Sequence, residues 1–535
     1  MRTFSIIIIL VFLYDLKVTG QSFVLLNDTI SRQSQLDSFT IQYPGCNYVL
    51  GNLTITGDIH HLDSLYNIKK IYGTLTVENT KIEDFKGLGQ LDTIFGFKCI
   101  GNTKLLNLNG METLTFSGPI YIDKNVVLKE IVAIYQTDFT SFYLAHCPKI
   151  SLVYGFNTPT ILDYIIIEEN VGLKTIDAFH NVEEITGDYR IRFCSELESV
   201  FTGTKLKIVK NELQFAALSK LQIFPPFENL IQVNNYLTLV SLTSLRQCNS
   251  FNNLRSVYAL HIYNANSLET LPGFPKLTLI SKSLDLGDNN KIRYIDGFNA
   301  LDSVQGSLRI FSSDSLISVN GFKNLRFIGS QFSVGNLRSL KNINGFGQLN
   351  YVEYNVQFYG LSLVTELNVF SNLNHVKKLY IWTNKYLNDI SWLNNLNVKK
   401  LEELQIISND SLSFCNYEAI CNYLNENKGK HEIRFNKSGC NSAEEILEAC
   451  RTVGVDDLQE KDLTIYPNPT NNHFYIESNA ELGSDDIEIW TMTGSKVPFS
   501  RVGDAIYPHT LDGGILIVKI KISGQTLVKK IIYLP

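Results

Sequence analysis

The residue types that most often carry catalysis or bind metals are present in this chain, but their spacing matches no catalytic or metal-binding motif. Nine histidines are scattered along 535 residues, and none forms the H-E-x-x-H pair that binds zinc. The G-x-S-x-G nucleophile motif, the phosphate-binding P-loop and the G-x-G-x-x-G dinucleotide motif are also absent from the sequence. We therefore expect no enzyme activity, no bound metal and no cofactor.

One short group of oxygen-bearing side chains resembles part of a calcium loop. Asp285, Asp288 and Asn290 lie close together in the sequence, but the full D-x-D-x-D-G spacing is missing. Short polar residues also favour tight corners of the backbone. A structural corner is therefore the preferred interpretation of this group.

The start of the chain, residues 1–20, predicts a signal peptide. Arg2 gives a positive start, and residues 4–13 form an apolar run that is too short to span a bilayer comfortably. An uncleaved membrane anchor is the alternative. No later segment is long and apolar enough to cross a membrane, so we expect no transmembrane segment in the mature chain. The net charge of −6 and the lack of basic runs argue against nucleic acid as a partner.

Four of the nine cysteines cluster near the end of the chain, at Cys415, Cys421, Cys440 and Cys450. In an exported protein, four cysteines in such a short segment predict two disulfide bonds. The sequence alone leaves all three pairings open. A zinc site is the alternative, although the cluster lacks the close paired spacing of zinc knuckles.

The middle of the chain is a repeat, in which apolar residues recur as L-x-I/L-x5-L/I-x2-I/V-x2-F-x2-L-x2-I/V. Residues 284–306 and 308–330 are two clear copies. Seventeen copies follow one another at a nearly constant step along the sequence. Their first apolar positions are Leu53, Leu75, Phe97, Ile120, Phe142, Ile165, Tyr189, Leu213, Leu237, Leu260, Leu284, Leu308, Phe332, Val356, Leu379, Leu404 and Ile433.

Each copy opens with the alternation of a short strand, followed by apolar positions that suit a coil turning two corners. Gly297, Gly321, Gly345 and Asn289 lie at such corners, where we expect left-handed backbone. One copy cannot bury its own apolar face, whereas a stack of copies can. The sequence therefore predicts a mainly β solenoid of about 17 coils, with parallel strands about 4.8 Å apart. Amphipathic helices are excluded because no copy carries a helical apolar face of eleven residues.

Aromatic residues recur at the outward strand positions of this repeat. Four copies carry one three positions after their start, at Tyr263, Phe311, Tyr359 and Trp382. Tyr380 lies beside the last of these, and Tyr121, Tyr143 and Tyr164 lie on three successive earlier copies. Exposed rings on a rigid sheet suit the stacking of sugars or extended polypeptide. Cross-strand stacking that merely favours β structure is the alternative.

The repeats over residues 53–411 resemble the receptor L domain, a leucine-rich-repeat relative found in insulin receptors and in many bacterial surface proteins. The resemblance implies a right-handed β-helix that serves as a recognition scaffold, without naming a ligand. Residues 40–55 and 414–450 resemble the two caps of such proteins. The resemblance of the second cap favours disulfide pairs Cys415–Cys440 and Cys421–Cys450.

The C-terminal segment, residues 463–535, resembles the type A sorting domain of the type IX secretion system. The matching segments are LTIYPNPTNNHFYIE, IEIWTMTGSKV and LDGGILIVKIKISGQTLVKKIIYLP. The residues that carry the resemblance are Pro467, Asn468, Pro469, Gly494, Lys529 and Lys530. The resemblance implies a small β-sandwich, the type IX secretion machinery as a partner, and delivery through the periplasm to the cell surface or the medium. An immunoglobulin-like adhesive domain is the alternative.

The sequence therefore predicts an exported recognition or adhesion protein whose solenoid binds an extracellular glycan or protein. A polysaccharide-acting enzyme and a passive spacer are the alternatives. Sugar cleavage needs paired carboxylates, and the outward strand positions show no dense acidic cluster. The predicted parts are a signal peptide (1–20), an N-terminal cap (21–52), a receptor-L-like solenoid (53–411), a cysteine-rich helical C-terminal cap (412–450), a linker (451–462) and a sorting domain (463–535).

Overall fold

A computed structural model of the chain describes residues 22–24, 28–132, 138–156, 159–271, 273–367, 369–426, 429–453, 463–478, 482–509, 513–522 and 525–534. The predicted signal peptide and residues 454–462 of the predicted linker lie outside the described residues. The chain divides into two compact units, residues 1–447 and residues 448–535, which are described one at a time.

The first unit is a stack of coils whose strands form parallel ladders on three faces. The first face carries the L-x-I segments of the repeat. Its strands are Asp28–Arg32, Leu53–Asp58, Lys70–Glu78, Thr93–Ile100, Ile120–Asp123, Ser141–Ala145, Tyr164–Glu168, Tyr189–Arg192, Leu213–Ala216, Gln232–Val240, Ser256–Tyr263, Leu284–Gly287, Leu308–Phe311, Gln331–Leu337, Asn355–Leu361, Lys378–Trp382, Glu403–Ile407 and Lys430–Arg434.

The other two faces are built from shorter strands. The second-face strands are Ser22–Val24, Cys46–Val49, Thr115–Phe116, Ile161–Leu162, Glu184–Ile185, Ile208–Val209, Leu279–Ile280, Ser303–Val304, Phe327–Ile328 and Tyr351–Val352, while some long first-face strands also bend onto this face. The third-face strands are Glu130–Val132, Leu152–Gly155, Thr175–Ala178, Ser199–Val200, Tyr294–Ile295, Ser318–Val319 and Asn342–Ile343. The helices of this unit are Gln33–Asp37, Phe39–Gln42, Asp63–Leu65, Lys86–Leu88, Ser391–Asn395, Val398–Lys400 and Glu418–Glu426, and the helix Ala443–Val453 begins in it.

The strand register follows the repeat. Leu53 lies opposite Leu75 on the next coil, and Leu284 lies opposite Leu308, with every apolar start buried between them. The predicted mainly β solenoid is confirmed, with about 16 turns. The start of the last strand was wrong by two positions, because Leu404 pairs with His431 rather than with Ile433.

The residue at the corner after each first-face strand has left-handed backbone, whereas the predicted glycines do not. The fourth residue after each start has positive φ, as at Asn79 (53°), Glu169 (57°) and Ser312 (49°). Gly297, Gly321 and Gly345 do not have positive φ, so that expectation was wrong. Gly345 allows close packing instead, because a Cβ on it would lie 1.7 Å from the carbonyl oxygen of Gly321.

Buried asparagines occupy the next position in many coils and hydrogen-bond the turning backbone. They are Asn102, Asn125, Asn170, Asn289, Asn384 and Asn409. The Asn289 amide donates to the carbonyl of Ile262 (2.8 Å), and its side-chain oxygen accepts from the amide of Ala265 (3.0 Å). Asn289 therefore satisfies buried backbone groups of neighbouring coils, which is a different role from the left-handed corner expected from sequence.

The C-terminal end of the solenoid carries the disulfide-rich helical cap. A disulfide bond joins Cys415 to Cys440, and Cys421 and Cys450 are also disulfide-bonded. The last helix starts with a cap in which the Ser442 hydroxyl accepts from the Glu445 amide at 3.2 Å. This helix runs to Val453, into the segment predicted as a linker.

The second unit consists of two four-stranded antiparallel sheets. Its strands are Leu463–Tyr466, Phe474–Ser478, Ile487–Thr491, Lys496–Val497, Phe499–Val502, Ala505–Pro508, Gly514–Ile522 and Gln525–Tyr533, with a short helix at Ser484–Asp486. Phe474, Ile489 and Val518 lie in its buried apolar core. This arrangement is the small β-sandwich that the sequence predicted. Across the described part of the whole chain, no helix has both the length and the apolar character needed to span a membrane.

Candidate ligand-binding face

The predicted aromatic residues lie in one row on the first face of the solenoid. Strand pairing sets Tyr263 opposite Gly287, and Gly287 opposite Phe311. The row continues through Gly335 to Tyr359 and then Trp382. We call Tyr263, Phe311, Tyr359, Tyr380 and Trp382 the aromatic face. All five side chains are partly exposed.

Glycines between the aromatic residues let two rings lie flat on the sheet. A Cβ on Gly287 would lie 2.3 Å from the ring of Phe311, and a Cβ on Gly335 would lie 2.3 Å from the ring of Tyr359. Each ring therefore covers the backbone of the preceding coil. One side of the ring is packed and the other side remains available to solvent. The alternation of aromatic residue and glycine at one repeat position was a sequence signal for this geometry that our sequence analysis missed.

The C-terminal end of the aromatic face is a stacked pair. The rings of Tyr380 and Trp382 are 4.8 Å apart and 23° from parallel. The Tyr380 hydroxyl donates to Glu403 at 3.1 Å. Burial, together with this hydrogen bond to the carboxylate, raises the pKa of Tyr380 to about 12. The pair is thus a neutral, fixed platform at ordinary pH.

Polar side chains lie beside the row, two positions nearer the strand starts. Arg309 donates two hydrogen bonds to Asp285, at 2.6 and 2.7 Å, and the ring of His261 is 3.4 Å from the same carboxylate. Burial lowers the pKa of His261. Because Asp285 is occupied by Arg309, its carboxylate has a role in the sheet surface rather than in the calcium loop considered from sequence. In the ranges that the structure describes, no three His, Cys, Asp or Glu side chains group as metal ligands.

The earlier tyrosines form a second, more enclosed arrangement. The rings of Tyr121 and Tyr143 are 4.4 Å apart and nearly parallel, and the Tyr143 hydroxyl donates to Glu168 at 3.0 Å. Burial is the main cause that raises the pKa of Tyr143. These rings stack on each other, so they offer less free ring surface than the aromatic face.

A network of acidic and basic side chains lies near these tyrosines at the outward positions. Asp123 pairs with His146 at 2.8 Å, and Glu168 pairs with Arg192 at 2.6 Å. Asp188 and Glu212 both contact Arg190. These partners are a full coil apart in the sequence and become neighbours because the coils stack. Each of these carboxylates has a cationic or imidazole partner.

The predicted sorting residues hold the edge of the second unit together. The Asn468 amide donates to the carbonyl of Lys530 at 3.0 Å, and its side-chain oxygen accepts from the amide of Ile532 at 2.8 Å. The peptide bonds that precede Pro467 and Pro469 are both cis. Segment 466–470 is thereby tied to the last strand, which carries Lys529 and Lys530.

A glycine turn in the same unit adopts the conformation expected from sequence. Gly494 has a φ of 83° between strands Ile487–Thr491 and Lys496–Val497, a backbone conformation that favours glycine. The hairpin residues Ser523 and Gly524, also predicted, lie outside the described residues.

Comparison with known proteins matches one segment in each unit. Residues 45–143 match the family model of the receptor L domain, and residues 464–533 match that of the secretion system C-terminal sorting domain. The sorting-domain match indicates export by type IX secretion to the cell surface or the medium. A solved leucine-rich repeat protein from Bacteroides ovatus is 14% identical over 52% of this chain and 86% of that chain, with a TM-score of 0.18.

Proposed function

We propose that this exported protein, with receptor L repeats and a C-terminal sorting domain, is a recognition protein whose aromatic face binds an extracellular glycan. In this proposal, residues 53–411 act as the recognition scaffold. Residues 463–535 act as the sorting domain that engages the type IX secretion machinery. The export of the chain rests on the sorting-domain match, whereas ligand class and adhesion are part of the proposal.

The observation that supports the proposal most is the flat arrangement of Phe311 and Tyr359 over Gly287 and Gly335. A ring that lies flat presents its π face, which packs well against the C–H faces of a sugar ring. The backbone ladder fixes these rings before the ligand arrives, so binding orders few side chains. The neighbouring Arg309 and His261 supply polar groups for sugar hydroxyls at the edge of the same surface.

The test is a glycan array probed with the full chain and with a Tyr359→Ala/Trp382→Ala variant. We expect the variant to lose binding of a neutral glycan while circular dichroism and the thermal unfolding midpoint show that the solenoid stays folded. Tyr154→Ala/Tyr386→Ala is the matched control, because both tyrosines are exposed, at 49% and 45%, away from the aromatic face. Binding that survives the first variant contradicts the proposal.

An extended polypeptide is the other ligand that an aromatic surface can accommodate. A peptide array run beside the glycan array separates the two ligands. If the full chain binds peptides and no glycan, and the Tyr359→Ala/Trp382→Ala variant loses the peptides, the surface is correct and the ligand class is wrong.

A further inference from the structure

A basic groove runs along the third face of the solenoid, away from the aromatic face. It includes a cavity of about 560 Å³ beside strands Tyr294–Ile295, Ser318–Val319 and Asn342–Ile343. A further cavity of about 550 Å³ lies at the preceding coils, next to Arg246. Four cations line the two cavities, and we call Arg246, Lys291, Arg293 and Lys341 the basic groove.

None of these four cations has an acidic partner among the described residues, whereas several cations of the earlier coils do. On the earlier coils, Lys220 lies 2.6 Å from Glu196 and Lys207 lies 2.6 Å from Glu183. The four cations of the basic groove form no such ion pair among the described residues, and Glu269 is the one acidic side chain that lines the two cavities. A chain with a net charge of −6 thus concentrates unpaired positive charge at this place.

The backbone ladder sets the spacing of these charges. The amide of Ile317 donates to the carbonyl of Arg293 at 2.8 Å, and the amide of Lys341 donates to the carbonyl of Ile317 at 2.9 Å. Arg293 and Lys341 are therefore two coils apart, which is about 9.6 Å by the ladder spacing. Arg246 has the same place in its coil, two coils before Arg293, and its carbonyl accepts from the amide of Glu269 at 3.0 Å. The three cations thus recur on every second coil.

We propose that the basic groove binds an extended acidic polysaccharide, with one carboxylate or sulfate group facing each of these cations. Two coils are close to the length of a disaccharide unit in an extended polysaccharide, so a chain with one acidic group per disaccharide matches the row in register. Ser315 and Ser339 line the groove beside the cations and offer hydroxyl groups to the sugar. Tyr294, with Arg293 over its ring at 5.7 Å, gives an aromatic surface at the groove edge.

This site is independent of the proposed aromatic face, because it lies on a different ladder of strands and acts through charge. Exposed charges attract a ligand over a distance that salt shortens, so binding at the basic groove weakens as ionic strength rises. Stacking at the aromatic face carries no such dependence. Salt therefore separates the two sites.

The experiment measures binding of the full chain to heparin, alginate, neutral dextran and polyglutamate. The test variant is Lys291→Gln/Arg293→Gln/Lys341→Gln. The matched control is Lys104→Gln/Lys149→Gln/Lys323→Gln, which removes the same charge from exposed lysines outside the groove. We expect the wild type to bind at least one acidic polysaccharide in a salt-sensitive manner. We expect the test variant to bind roughly tenfold more weakly, since each exposed charge contact contributes a modest free energy.

Three results overturn the proposal: equal loss of binding in the test and control variants, tighter binding of polyglutamate than of either acidic polysaccharide, or no binding of heparin and alginate by the wild type. The Tyr359→Ala/Trp382→Ala variant is expected to retain this binding. The proposal for the basic groove and the proposal for the aromatic face can therefore be refuted independently.

Discussion

At the scale of single residues, the buried asparagines hydrogen-bond the backbone at the corners of the coils. The Asn170 side chain accepts from the Cys147 amide at 2.9 Å and donates to the carbonyls of Leu144 and Glu168, both at 2.9 Å. These backbone groups lie at the end of one strand and at the corner that follows it. The asparagine therefore replaces the hydrogen bonds that the corner removes.

Substitution of Asn170 by alanine tests this role. We expect a loss of about 2 kcal/mol or more, because the buried backbone groups would keep neither protein nor water partners. The control is Asn324→Ala, which removes one exposed bond to the carbonyl of Asn299 (2.9 Å) and is expected to cost about 0.5 kcal/mol at most. The measurement is the thermal unfolding midpoint of the full chain carrying either substitution. Equal midpoints for Asn170→Ala and Asn324→Ala would contradict the proposed role of Asn170 at the corner.

A second residue, His375, gives the repeat unit a pH dependence. Its ring stacks on Tyr351 with centroids 4.1 Å apart, and burial lowers its pKa despite the nearby Glu353. The unfolded chain therefore binds a proton at higher pH than the folded chain. Stability is complete above the unfolded pKa of about 6.5 and falls as the pH drops through it towards the lower folded pKa.

We expect His375→Gln to flatten this decline in the thermal midpoint between neutral and mildly acidic pH. Burial also lowers the pKa of His261, so the decline should shrink rather than vanish. The Lys377 and Lys400 charges next to His375 act in the same direction as burial. An identical pH slope in wild type and variant would show that His375 titrates alike in both states.

At the scale of strands and corners, the repeat predicted most of the register. Sixteen of the seventeen starts pair as expected, because an inward apolar residue at each step is required to fill the core between coils. The predicted start of the last strand was wrong because an exposed histidine, His431, lies where the other copies have an apolar residue. Ile433, two positions later, lies opposite Ile406. Because Ile433 is apolar, the repeat pattern placed the start there instead of at His431.

The candidate site was predictable in part at this scale. The row from Tyr263 to Trp382 follows from the repeat spacing alone. The flat ring positions depend on which side chain lies opposite each ring, as do the ion pairs of Glu168 and Arg192. Such cross-coil partners are separated by a full coil of sequence, so local patterns do not show them.

Gly335→Ala tests the flat rings without removing an aromatic residue. A Cβ there would lie 2.3 Å from the Tyr359 ring, which can swing outward at modest cost to stability. For a glycan that the wild type binds, we expect Gly335→Ala to weaken binding about as much as Tyr359→Ala does. Gly347→Ala is the control, since its nearest neighbour would be 3.5 Å away. Full binding by Gly335→Ala would show that ring orientation has no part in recognition.

At the scale of the whole molecule, the chain combines a repeat unit with a smaller sandwich that matches a sorting domain over residues 464–533. The sequence indicated both units because each has its own pattern, a steady apolar repeat in one and short alternating strands in the other. The ligand was not predictable, since the same scaffold can present different outward residues.

Deletion of residues 463–535 tests the role of the second unit. We expect the truncated protein to remain inside the cell envelope, because the segment that the type IX machinery engages is gone. Cell fractionation and immunoblotting of the medium measure the outcome. The Tyr359→Ala/Trp382→Ala variant, with an intact sorting domain, should be exported normally. Arrival of the truncated protein at the surface or in the medium would refute the assignment.

The left-handed corner that follows each first-face strand has one more consequence. In successive coils the corner is occupied by Lys124, His146, Glu169 and Phe193, with φ between 51° and 57°. Such a conformation costs about 1 to 3 kcal/mol for any residue with a side chain. β-Branched residues tolerate this conformation least, but many other side chains adopt it here, so the coil closes the same way with any of them. The rim of the stack is therefore open to diversification, and new specificities can evolve there without rebuilding the scaffold.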